Sequence, residues 1–224
     1  MDGVDETFAS MYPRYPQEKR FIAEYGKRLV WQGASLKGRE LLQQAGDEIW
    51  QNDDLALAYI EATLEPDYVS LVDGKKISKN DQARYVEALD KILAQDEQNE
   101  RARLLIAESR LFAGDFEAAY QFFDELLGEA VDGSTLPKGR LLTGLSQSAA
   151  RIAKFEIAHA ALDQALELEP DWYGLQRIKA ENLRCEGELK EAGNQARVAL
   201  DRVTESAESY LWAAEFLRST GQTI

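Results

Sequence analysis

The chain has 224 residues, 45% of them apolar, and a formal net charge of −14. That apolar share is enough to bury a core and excludes wholesale disorder. So negative a chain repels phosphate backbones, which excludes nucleic acid as a first-choice partner.

The first 16 residues read as an N-terminal extension. The opening "MDGVDETFASMYPRYPQEKR" has neither the basic start nor the apolar stretch of a secretory signal. The period then becomes helical. In "RFIAEYGKRLVW", Ile22, Tyr25, Gly26 and Leu29 share one stripe; in "SLKGRELLQQAGDEIW", Gly38, Leu41, Leu42, Ala45 and Ile49 do the same. "DDLALAYIEATLEP" predicts a third helix, opened by Asp53 or Asp54 and closed before Pro66. Residues 67–80, "DYVSLVDGKKISKN", break the pattern with β-branched residues and an Asp-Gly, and read as an insertion carrying Lys75, Lys76 and Lys79. Helix resumes in "DQARYVEALDKILAQ", with Tyr85, Leu89, Ile92 and Leu93 on one face.

From Asn99 the helices come in pairs with short turns. The predicted pairs are Glu100–Ala113 with Phe116–Leu127, Pro137–Ala153 with Phe155–Glu169, and Trp172–Glu186 with Leu189–Val203, followed by an unpaired Ala207–Thr220. The turns "LFAGDFEAAY", "RIAKFEIAHA", "RCEGELKEAG" and "RSTGQTI" align on Gly114, Ala153, Gly187 and Gly221. The last two intervals are both 34 residues, and the first is 39 because "GEAVDGSTLP" adds a loop. "YGKRLVWQGASLKGRELLQQA" fits the same template around Gly33. A constant period built as helix–turn–helix predicts an all-α solenoid of antiparallel helix pairs, with about eleven helices in all. A plain helical bundle with alanine-rich seams is the alternative, and it does not require an equal period. On this reading residues 17–98 hold degenerate helix pairs with an insertion at 67–80, and 99–224 hold regular repeats, the last incomplete, in one continuous array.

The pattern resembles the tetratricopeptide repeat family. Tyr25-Gly26, Ile106-Ala107, Leu145-Ser146 and Ala213-Ala214 look like its bulky–small pair, and Lys179-Ala180 keeps only the small member. Gly33, Gly114, Gly187 and Gly221 look like its turn glycine, Ala119, Ala158 and Ala192 like the first alanine of the second helix, and Phe123 and Leu162 like its large site. Ala165, Ala199 and Pro170 stand at the later positions. Small residues there let helices approach closely, and a large one nearby fills the gap.

Little in the chain suggests chemistry. His159 is the one histidine and Cys185 the one cysteine, so no internal disulfide forms and no His/Cys metal cluster assembles. No phosphate-binding glycine loop is present, and carboxylate pairs such as Asp53-Asp54 or Glu167 with Glu169 read as solvated helix ends. No enzyme activity, cofactor or metal is expected.

The family resemblance implies a concave groove, lined by the first helix of each pair, that binds a peptide or a partner's helix. By the repeat register the groove residues are Arg101, Leu104, Glu108 and Phe112, then Arg140, Thr143, Gln147 and Arg151. Arg177, Glu181, Arg184 and Cys185 follow, and then Leu211, Glu215 and Arg218. The gathered arginines have two readings. They capture an acidic segment or a C-terminal carboxylate, or they pair with neighbouring glutamates such as Glu181 and Glu186. The lysine–asparagine carboxylate clamp of the chaperone-binding members is not reproduced. Trp31, Trp50, Trp172 and Trp212 are candidate anchors or core residues. The last helix, with Leu211, Trp212, Phe216 and Leu217, is too apolar for a typical cap, which suggests a fragment of a longer array and self-association through that helix.

The expected function is therefore a non-catalytic protein-interaction scaffold that binds a peptide or partner helix in its concave groove, as part of a larger protein or assembly. The alternative is a substrate-recruiting or regulatory segment of a multidomain enzyme such as a glycosyltransferase. With no run of eighteen apolar residues no membrane insertion is expected. The chain as written reads as soluble and cytoplasmic, or extracytoplasmic if it is part of an envelope protein.

Overall fold

The computed structural model describes residues 3–64, 79–129, 136–170, 173–201 and 207–222. Among them are twelve α-helices and no strand. They are α1 (Gly3–Met11), α2 (Lys19–Trp31), α3 (Ser35–Ala45), α4 (Asp53–Leu64), α5 (Lys79–Gln95) and α6 (Glu100–Ala113). They continue as α7 (Phe116–Glu129), α8 (Lys138–Arg151), α9 (Phe155–Leu168), α10 (Tyr173–Glu186), α11 (Leu189–Asp201) and α12 (Ala207–Ser219). The helix beyond the expected eleven is α1. The expected insertion lies outside the described residues except for 79 and 80, which open α5, and Trp172 also lies outside them.

The chain divides into two compact units, one of residues 1–65 and 79–105 and the other chiefly of residues from Ile106 onward. In the first, α2 and α3 pack as a pair and α4 packs on both. The crossing of α2 and α3 is made by two glycines. A β-carbon on Gly38 would stand 2.7 Å from the Gly26 carbonyl oxygen, and one on Gly26 would stand 2.9 Å from that of Gly38. Around it lie Ile22, Tyr25, Leu41, Leu42 and Leu55, with Phe8 stacked on Tyr25 at 5.6 Å. Trp50, Tyr59 and Tyr85 form a second aromatic cluster, and burial pushes the Tyr85 phenol well above its ordinary range. Helices α4 and α6 open on asparagine caps: the Asn52 and Asn99 side-chain oxygens accept from the Leu55 and Ala102 N–H groups at 3.2 and 3.0 Å.

In the second unit α8 packs on α7, α9 and α10, and α11 on α10 and α12. The small residue seven before each turn, Ala107, Ser146 and Ala180, is fully buried, and so are Ala119, Ala158 and Ala192 after it. Ala214, the counterpart on α12, is only half-buried. The Ser146 hydroxyl ties three helices together, donating to the Ala158 carbonyl at 2.8 Å and accepting from the Asn182 amide at 2.8 Å.

The aligned turns share one backbone conformation. Gly33, Gly114, Ala153, Gly187 and Gly221 all have positive φ, from 60° at Ala153 to 94° at Gly187. After each, the next N–H reaches back five residues: Ala34 to Leu29 at 2.8 Å, Asp115 to Arg110 at 3.0 Å, Lys154 to Ala149 at 2.9 Å, Glu188 to Leu183 at 2.9 Å and Gln222 to Leu217 at 2.8 Å. This is the Schellman ending, whose left-handed residue favours glycine because it has no β-carbon. A β-carbon on Gly187 meets nothing within 4 Å, so Gly187→Ala isolates the backbone term and is expected to cost about 1 kcal/mol. Ala153→Gly is expected to stabilise by roughly 0.5–1 kcal/mol, the relief of left-handed strain less glycine's greater chain entropy. Urea midpoints check both; an unchanged midpoint in Gly187→Ala, or a lower one in Ala153→Gly, counts against this account.

Candidate functional site

The expected groove residues fall in both units. Arg101 and Leu104 belong to the first. Leu104 is buried. The Arg101 guanidinium pairs with Glu61 and lies 5.3 Å from the Trp31 ring.

In the second unit Glu108 is buried and accepts both prongs of Arg140, Nε to Oε1 at 2.5 Å and the second nitrogen to Oε2 at 2.6 Å. Arg101 and Arg140 hold the same register, thirteen residues before Gly114 and Ala153, and each pairs with a glutamate of its own unit, a rung that recurs at one repeat position. At the next rung Gln147 stands where Glu108 stood, and Gly174 where an arginine would be. The Gln147 Nε2 is buried with no hydrogen-bond acceptor. Glu181, the next member of that row, accepts instead from Arg184 of its own helix at 2.7 and 2.9 Å. Desolvation works against the Arg184 charge, but the Glu181 carboxylate outweighs it and holds the guanidinium above its ordinary value.

Arg177 is 1% exposed, with its guanidinium 4.1 Å from the Trp212 ring. Trp212 is itself 3% exposed, and its Nε1–H has no acceptor. Thr143 is buried and donates to the Gly139 carbonyl at 2.7 Å. Phe112 is half-buried, and Arg151 is exposed, 5.5 Å from the Phe116 ring. Cys185 is half-buried beside Ala149 and Ala158, and burial raises its thiol above the ordinary value, opposed by the nearby Arg151 charge. On α12, Leu211, Glu215 and Arg218 are exposed.

The arginines thus divide. Arg140 and Arg184 pair with glutamates of this chain, Arg177 is buried against an aromatic ring, and Arg151 and Arg218 face solvent. Glu186 takes no arginine from this set; its carboxylate meets His159 Nε2 at 2.8 Å. Of the tryptophans, Trp212 is core, Trp50 is half-buried, and Trp31 is 50% exposed. Sequence reading did not find the unsatisfied donors on Gln147 and Trp212; a register-by-register comparison of Glu108, Gln147, Glu181 and Glu215 holds the signal for the first. Among the described residues no group of three or more His, Cys, Asp or Glu is placed to hold a metal, and no helix is long and apolar enough to cross a membrane.

Paired helices, a recurring Schellman turn and alternating small and large seam positions define a tetratricopeptide-repeat fold, an all-α solenoid. Solved structures carry the same fold. The chain is similar to a tetratricopeptide repeat protein from Parabacteroides merdae (TM-score 0.61, 11% identity, 97% of this chain and 79% of that one). It is also similar to TTC0263, a thermophilic protein of this fold from Thermus thermophilus (TM-score 0.59, 19% identity, 89% and 99%), and to Pseudomonas aeruginosa PilF (TM-score 0.52, 16% identity, 91% and 84%). No protein-family model and no curated protein matches the chain.

Proposed function

We propose that the chain is a non-catalytic protein-interaction scaffold whose first-helix face, on α8, α10 and α12, takes an acidic peptide segment from a partner. In this reading residues 17–98 and 99–224 are the degenerate and regular blocks of one array. The observation that carries it is the break in the ladder at Gln147. A buried donor without an acceptor costs about 1–3 kcal/mol, and a carbonyl or carboxylate oxygen from a partner would satisfy it. The solvent-facing Arg151 adds donors of the same polarity. With Arg140 and Arg184 already neutralised, selection rests on these remaining groups rather than on bulk positive charge.

Gln147→Leu tests this directly. Removing a buried unsatisfied donor is expected to leave stability equal or raise it by up to about 1 kcal/mol, because nothing in the free protein is lost. The same change is expected to weaken capture of a labelled acidic peptide, read by fluorescence anisotropy. Unchanged binding by both Gln147→Leu and Arg151→Glu would sink the reading.

A further inference from the structure

A second surface, on the opposite helices of the pairs, has a different chemistry. Helices α7 and α9 both pack on α8, and between them runs a cleft of about 540 Å³. That lies in the size range of ligand-binding clefts, about 300–1,000 Å³. Its floor includes Leu142 and Leu145 of α8, both mostly buried. One wall is Ile157 of α9, left 38% exposed, and the other includes Gly128 of α7, where a β-carbon would meet nothing within 4 Å. The cleft is therefore apolar at its base and open above.

Its rim is acidic. Helix α7 carries Glu117, Asp124, Glu125 and Glu129 and no lysine or arginine. Helix α9 carries Glu156, Asp163 and Glu167, again with no lysine or arginine. All seven carboxylates are exposed. Asp124 and Glu156 stand on the cleft itself. One cation joins them on the cleft, Lys138 at the start of α8; Lys154 lies 3.7 Å from the Tyr120 ring and Arg151 is laid on Phe116. An apolar slot lined by two carboxylates and one lysine, between helices that carry carboxylates and no lysine or arginine, selects against acidic or phosphate-bearing ligands and for a cationic one with an apolar ridge. Two helices flanking a groove also match the shape of a third, whose side-chain ridge fits between them.

We infer that the α7–α9 cleft is a docking site for a basic amphipathic helix of a partner protein. One apolar side chain of that helix seats on Leu142 and Leu145 beside Ile157. Lysines or arginines a turn away on either side reach Asp124 and Glu156. This site is separate from the first-helix face and does not depend on the reading given for it.

The test uses the full chain and a fluorescently labelled amphipathic leucine–lysine peptide, with a scrambled peptide of equal composition and an acidic peptide beside it. The amphipathic peptide is expected to bind, and the scrambled and acidic ones to bind at least about tenfold more weakly. Asp124→Lys with Glu156→Lys is expected to lower affinity about tenfold or more, by reversing the charge at the rim. Gly128→Gln, placed where there is free space, is expected to fill the slot and weaken binding while the helical circular dichroism stays that of the wild type. Lys190→Glu, at an exposed position of α11 outside the cleft, is expected to change nothing. Equal binding of the scrambled peptide reduces the effect to bulk charge and overturns the proposal. So does binding that survives both cleft variants, or no binding by the amphipathic peptide at all.

Discussion

Phe123→Ala is expected to destabilise the chain by about 3–5 kcal/mol, the range for removing a fully enclosed aromatic ring. Phe123 is 0% exposed, and its ring occupies the place that a β-carbon on Gly144 of α8 would take. The fit is reciprocal, so Gly144→Ala is expected to cost about 1–3 kcal/mol by overpacking. Phe123→Leu should relieve part of that cost, and the double substitution should fall short of the sum of the singles. Urea unfolding of the four proteins closes the cycle. A silent Gly144→Ala would mean that the ring does not press on the α8 backbone.

Glu108→Ala carries the second large effect, about 3 kcal/mol, because it removes the two-pronged acceptor of a largely buried Arg140. Replacing both partners by methionine is expected to return stability to within roughly 1 kcal/mol of the wild type, since an apolar pair leaves no buried charge to solvate. The contrast between the single and the double substitution is the measurement. A double variant as unstable as the single would show that the packing around the pair, and not its charge, sets the cost.

The fold was legible in the sequence because its determinants are local. Aligning the turns on Gly33, Gly114, Ala153, Gly187 and Gly221 needed only spacing, and each of these residues has the left-handed backbone that makes glycine useful there. The helix bounds predicted from Glu100 onward agree with the structure to within two residues at each end, and each first helix is closed by its own turn. The site was less legible because it depends on partners in other repeats. Periodicity places Arg140 and Arg177 on first helices, but it does not say that Glu108 will reach across 32 residues to one, or that Trp212 will cover the other. The cleft between α7 and α9 was missed for a similar reason. Counted along the chain, the acidic residues look evenly spread; counted by helix, α7 and α9 hold no lysine or arginine.

The recurring turn also sets how the protein comes apart. Each helix pair is closed by its own short reversal, and each helix of the second unit rests mainly on its immediate neighbours. Contacts so close in sequence form quickly and break piecemeal, so unfolding runs like a zipper from the least-covered end. Among the helices of the second unit, α12, whose Ala214 lacks the cover its counterparts have, is expected to show the fastest amide hydrogen exchange, and α8, held by α7, α9 and α10, the slowest.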